Sequence, residues 1–113
     1  MPDAPLHIEA IPSASDGTHV VRLAGPLTLP NVFAFQSTVR SDTSRVLVLD
    51  FSEVPLMDSA GIGALVGAYV TRQKDGRRLA LVGVNQRIHQ ALEVTRVESF
   101  FQFFDSVAAA EKG

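Results

Sequence analysis

The sequence predicts a single domain of the α/β class, with an opening hairpin followed by strands that alternate with helices in the order ββαβαβαβα. Three observations carry this. Val46–Leu49 is an apolar, β-branched run of the kind that makes a buried strand, and a turn containing Pro55 separates it from a long helical pattern after Asp58-Ser59. Leu79–Val84 repeats the arrangement, followed by Asn85 and by Ile88, Ala91, Leu92 and Thr95 at helical spacing. Ahead of both, Leu6, Ile8 and Ala10 alternate with His7 and Glu9, and the pair Asp16-Gly17 favours a hairpin turn. Strand–helix–strand crossovers demand parallel neighbours, and the hairpin adds an antiparallel pair. The sheet is therefore mixed, of four to five strands, with about four helices packed on it.

In chain order, the first strand buries one face, and Pro12–Gly17 turns the chain into a second strand, Thr18–Ala24. His7 and His19 lie on these strands as solvent-facing or edge residues. Gly25–Asn31 breaks the strand and leads into a helix from about Pro30 to Val39, with Val32, Phe33, Phe35 and Val39 giving a broad apolar side. Ser41–Ser44 is a loop, and Arg45–Asp50 supplies the central strand. The next helix runs to about Lys74 and stops at Asp75-Gly76. Arg77 and Arg78 precede the fourth strand as solvated edge charges. Asn85 caps the following helix, and His89 falls off its apolar side and is expected to be exposed. Phe100, Phe101, Phe103 and Phe104 surround Gln102, which a short strand with one face on the core explains. Base stacking by such a cluster would need surrounding basic residues, and these are missing. Asp105 or Ser106 caps a brief final helix.

The helix after the central strand holds the candidate functional residues. Either Asp58 or Ser59 can cap it, because a short side-chain oxygen reaches the free amide hydrogens of the first turn. At about 100° per residue, Leu65, Val66, Tyr69 and Val70 gather around Ile62, which predicts the core face. Ala60, Gly63, Ala64, Gly67 and Thr71 then share the opposite face, where nothing is long or charged. A solvated face normally carries charge, and each helical glycine costs roughly 1 kcal/mol against alanine. This pattern suits a backbone approaching closely, from a partner or from a neighbouring element of the same chain.

Asp58-Ser59-Ala60-Gly61-Ile62-Gly63, preceded by Leu47-Val48-Leu49-Asp50-Phe51-Ser52, resembles the signature of STAS domains, and within them that of the bacterial anti-sigma factor antagonists. The similarity continues through Arg78–Val84, Ala91–Thr95 and Phe103–Val107, covering about residues 6–110 of one domain that spans 1–113. The resemblance implies a mixed sheet with helices packed on it, and a switch in place of catalysis. In that family the unphosphorylated antagonist binds an anti-sigma factor that is also its serine kinase, and so frees a sigma factor. Phosphorylation on the serine of this motif ends the binding, and a serine phosphatase restores it. Carried over, the phosphoacceptor is Ser59, since position 60 is alanine and offers no competing hydroxyl. The implied partner-binding set is Asp58, Ser59, Ala60, Gly61, Gly63, Ala64, Gly67 and Thr71, with Thr28 from the loop Pro26-Leu27-Thr28-Leu29-Pro30. That loop is stiffer and more apolar than the polar loop common in the family. The alternative is a STAS scaffold subunit of a stress-signalling or lipid-transport complex, docked permanently and never phosphorylated.

Composition narrows the classes. A net charge of −2 argues against nucleic acid, which needs a basic stripe. With no cysteine and three widely separated histidines, neither a disulfide framework nor a metal-ligand spacing is present, and no cofactor is expected. The start Met1-Pro2-Asp3-Ala4-Pro5 lacks the features of a signal peptide, and no apolar stretch approaches the roughly 20 residues that span a bilayer, so a cytoplasmic protein is expected. Ser59 is the one plausible nucleophile, yet it lacks the Gly-x-Ser-x-Gly setting and a histidine in a matching context, and the glycines around it lack the Gly-Lys-Ser/Thr ending of a phosphate loop. An enzyme is not expected.

Overall fold

A computed structural model describes residues 4–113; the first three residues, part of the start read above as leaderless, lie outside the described residues. The strands are β1 (His7–Ile11), β2 (Thr18–Ala24), β3 (Val46–Glu53), β4 (Arg78–Val82) and β5 (Gln102–Phe104). The helices are α1 (Val32–Ser41), α2 (Ser59–Lys74), α3 (Gln86–Val94) and α4 (Val107–Lys112), with short 3-10 turns at Leu29–Asn31 and Glu98–Phe100. The expected order ββαβαβαβα is the observed one. The five strands lie side by side in chain order, β1 antiparallel to β2 and every later neighbour parallel.

This order means that each crossover moves one place along the sheet in the same direction. Crossovers of one hand then place α1, α2 and α3 on one face. The packing agrees. Leu23, Leu47, Leu49, Phe51, Leu79 and Leu81 meet Phe35, Leu65 and Leu92 of those helices in the larger core. Val20, Val48, Ala80 and Val82 point the other way, to Ala110 of α4. β3 lies at the centre and is buried through its first six residues, which is why it reads as an unbroken apolar run.

Several bounds and exposures differ from expectation. α1 starts at Val32, because Pro30 lies in the preceding 3-10 turn. β4 ends at Val82, not Val84: Gly83 takes φ +69° beside Ser52, and the chain turns there. Ala10 is exposed on the edge strand β1. His89 is partly covered: its Nδ1 lies 3.2 Å from Glu98 Oε2 and its ring 4.4 Å from that of Phe103. Among the four clustered phenylalanines, Phe101 is buried, whereas Phe100 is 43% exposed and stacks on Tyr69 at 5.4 Å. Ser106, not Asp105, caps α4 by accepting the Ala109 amide hydrogen.

Candidate functional site

β3 delivers the chain to the N-terminus of α2. Its last residues pass the buried Val54, and Met57 then forms a single parallel bridge with Leu27, the residue that follows β2 and the Gly25-Pro26 turn. Leu27 donates its amide hydrogen to the Leu56 carbonyl at 3.1 Å, so the segments after β2 and β3 are tied together directly beneath the helix start. Asp58 follows with an extended backbone and is the N-cap, its Oδ1 accepting the Gly61 amide hydrogen at 2.8 Å. Ser59 is therefore the first helical residue and not the cap. It is exposed at the end where unpaired amide hydrogens give the helix its positive pole.

Asp58 makes a second bond across the loop, Oδ2 accepting the Leu29 amide hydrogen at 3.0 Å. The Gly61 amide above all, then the Leu29 amide against opposing burial, holds the Asp58 carboxyl below the ordinary aspartate range. Next to Ser59 there is thus a carboxylate that stays ionised and already spends both oxygens on backbone donors.

The expected site residues separate into two groups. Ser59, Gly63, Gly67 and Thr71 are exposed, and Ala60 and Asp58 are half-buried beside them. At Gly63 and Gly67 an added Cβ would meet nothing within 4 Å, so that face of α2 is open. Gly61 and Ala64 do not belong to it. A Cβ on Gly61 would lie 2.0 Å from the Leu27 carbonyl oxygen, and Ala64 is 5% exposed in the core. Gly61 serves the close approach of Leu27, and Ala64 forms part of the floor of a groove between α1 and α2, lined also by Gln36, Arg40, Gly67 and Thr71. Thr28 is half-buried with its hydroxyl oxygen enclosed and unpaired, so that oxygen is not on offer to a partner.

The core face of α2 is also rotated from expectation. Its buried residues are Gly61, Ala64, Leu65, Ala68 and Arg72. Val70 is 53% exposed, and Ile62, Val66 and Tyr69 are half-buried at the flank. α2 is the middle of three helices on one face, and its buried side combines Leu65 and Arg72 with the small Gly61, Ala64 and Ala68. Ile62 borders Arg87, Gln90, Ala91 and Val94 of α3.

Phe33, expected on the apolar side of α1 with Val32, Phe35 and Val39, is 80% exposed instead, and the burial of Arg72 carried no sequence signal. Leu29, whose amide bonds Asp58, is 64% exposed. Arg72, 2% exposed, donates to the carbonyls of Ser44 at 2.6 Å and Arg78 at 2.9 Å and lies 3.4 Å from Asp42 Oδ1. It ties the C-terminal end of α2 to the loop before β3 and the start of β4. Among the described residues, no group of histidine, aspartate and glutamate is placed to hold a metal ion, and no helix is long and apolar enough to cross a membrane.

The model of the STAS domain family matches residues 10–110. An anti-sigma-B factor antagonist of Staphylococcus aureus is 29% identical over 93 residues, 80% of this chain and 84% of that protein. Its counterpart in Listeria monocytogenes is 33% identical over 75 residues, 66% of each chain. The crystal structure of an anti-sigma factor antagonist from Mycobacterium paratuberculosis superposes with a TM-score of 0.83 at 20% identity, over 99% of this chain and 95% of that one.

Proposed function

The chain belongs to the STAS domain family, and from that premise we propose that it is an anti-sigma factor antagonist, switched by phosphorylation of Ser59. Unphosphorylated, it holds an anti-sigma factor that is also its serine kinase, and so frees a sigma factor in the cytoplasm. Phosphate on Ser59 ends the hold, and a serine phosphatase restores it. The protein acts by binding and not by catalysis. Its similarity to proteins described as anti-sigma-B factor antagonists supports this reading.

The observation that carries it is the exposed Ser59 at the first turn of α2, beside a helix face left open at Gly63 and Gly67. A phosphate adds about −1.5 to −2 charge at neutral pH. The positive pole of the helix favours that charge by up to about 1 kcal/mol, so the fold tolerates it. A partner pressed against Gly63, Gly67 and Thr71 does not, because the dianion would then be desolvated without a cation of its own. The neighbouring Asp58 carboxylate sharpens the effect, since both its oxygens are committed and its charge opposes the phosphate.

The test is phosphorylation itself. Incubation with the cognate anti-sigma kinase and ATP should add one phosphate, and Ser59→Ala should abolish it, as mass spectrometry reads directly. A wild-type chain that the kinase binds but never modifies would support the permanently docked scaffold instead.

A further inference from the structure

The C-terminal end of α2 gathers positive charge. Residues 72–78 hold Arg72, Lys74, Arg77 and Arg78 against the single acid Asp75, in a chain whose net charge is −2. Arg72 turns inward to Asp42 and to two carbonyls. Arg77 lies 3.4 Å from Asp75, an exposed pair of little strength. Arg78, half-buried at the start of β4, has no carboxylate partner among the described residues; its Nη2 donates to the neutral Gln102 Oε1 at 2.8 Å. The negative pole of α2 does not cancel these charges, because its last carbonyls already accept the amide hydrogens of Asp75, Gly76 and Arg77. The same place presents an aromatic wall. Tyr69 and Phe100 stack at 5.4 Å with their planes 7° apart, and the buried Phe101 meets both rings edge-on. Phe100 is thus held in place, yet 43% exposed. In sequence Arg77 and Arg78 are far from Phe100; the pairing of β4 with β5 brings them together. Both rings, both arginines and Leu79 line one cavity of about 220 Å³, bordered also by Gln73 and Gln102.

The geometry points to a binding site for a small aromatic carboxylate in this cavity. A guanidinium takes a carboxylate in two parallel hydrogen bonds. A half-buried one without an acid of its own attracts it more strongly than a fully solvated one, because the local dielectric is lower. A planar apolar ring suits the wall of Tyr69 and Phe100, where rings pack offset or edge-on. Gln102, its oxygen engaged by Arg78, keeps its amide nitrogen as a donor to the second carboxylate oxygen. Size excludes larger ligands. Drug-sized molecules occupy clefts of roughly 300–1,000 Å³, so a cavity of about 220 Å³ takes one ring and its acid and not a nucleotide. The site lies at the opposite end of α2 from Ser59 and goes beyond the function proposed above.

Titration of the isotope-labelled protein with benzoate, followed by NMR at low salt, tests this. Benzoate should give saturable shifts centred on Tyr69, Arg77, Arg78 and Phe100. Acetate, which lacks the ring, and benzyl alcohol, which lacks the charge, should each bind at least tenfold more weakly. Arg78→Gln and Phe100→Ala should each weaken benzoate binding at least fivefold, with melting temperatures unchanged. Arg87→Gln, which removes an exposed cation near the opposite end of β4, should leave it as it is. Shifts that never saturate, saturable shifts centred elsewhere, or equal affinity for acetate or benzyl alcohol would overturn the inference. So would wild-type affinity in a folded Arg78→Gln variant. The comparison of the three small molecules uses the wild-type chain alone, so it decides the matter even where a variant fails to fold. A negative result would leave the proposed function untouched, since Ser59 lies at the other end of α2.

Discussion

Three glycines in the first turns of α2 serve opposite ends. Gly61 makes room inside the molecule, because any Cβ there would collide with the Leu27 carbonyl. Gly63 and Gly67 make room for nothing in the chain itself. Gly61→Ala should therefore destabilise the protein by roughly 2 kcal/mol, the cost of overpacking against backbone. Gly63→Ala and Gly67→Ala should instead stabilise it by up to about 1 kcal/mol, through helix propensity alone. Urea denaturation of the three variants decides between these, and a loss at Gly67 as large as at Gly61 would mean that its open face is structural. Open glycines kept at a cost to stability fit a surface that something outside must approach closely. The glycine pattern was legible in the sequence, but the distinction within it was not: the oxygen that requires Gly61 belongs to a segment before α1, and no helical wheel contains it. For the same reason Ala64 read as surface and lies in the core.

The bounds of α2, Ser59–Lys74, were legible because its start and stop signals are local: a short acid at the cap, and Asp75-Gly76 after the last turn with Gly76 at φ +71°. Its orientation was not. Apolar bulk pointed to a face centred on Ile62, whereas the buried side joins Leu65 to the small Gly61, Ala64 and Ala68 and to Arg72. Arg72 was also missed, since a lone arginine near a helix end reads as solvated, and the carbonyls of Ser44 and Arg78 together with the Asp42 carboxylate explain its burial. The cap itself is testable by pH. The amides of Gly61 and Leu29 hold the folded Asp58 carboxyl below its unfolded value of about 3.9. The group's contribution is therefore present above that pH and is lost as pH falls through the lower folded value. Stability measured by denaturation should fall for the wild type relative to Asp58→Asn as pH drops below about 3.9, and the difference should be constant above pH ~5. A difference that changes only near neutrality would assign the effect to another group.

The sheet carries its five strands in chain order. Alternation of strands and helices was enough to predict the parallel arrangement and the hairpin. Which face α4 would cover was not predictable, because a short alanine-rich helix fits either. It lies opposite α1, α2 and α3, over Val20, Val48, Ala80 and Val82. The larger core then rests on Leu47, Leu49, Phe51, Leu65 and Leu81, all fully buried and none of them dependent on Ser59. A charge added at the exposed first turn of α2 should leave folding unchanged within about 0.5 kcal/mol, the usual range for a surface change. Its effect should fall on binding instead. Affinity for the anti-sigma kinase is accordingly the decisive quantity, measured side by side for unphosphorylated protein and protein carrying one phosphate on Ser59, with the melting temperature of each. The prediction is at least tenfold weaker binding by the phosphorylated form, about 1.4 kcal/mol, at nearly the same melting temperature. Equal affinity of the two forms would contradict it.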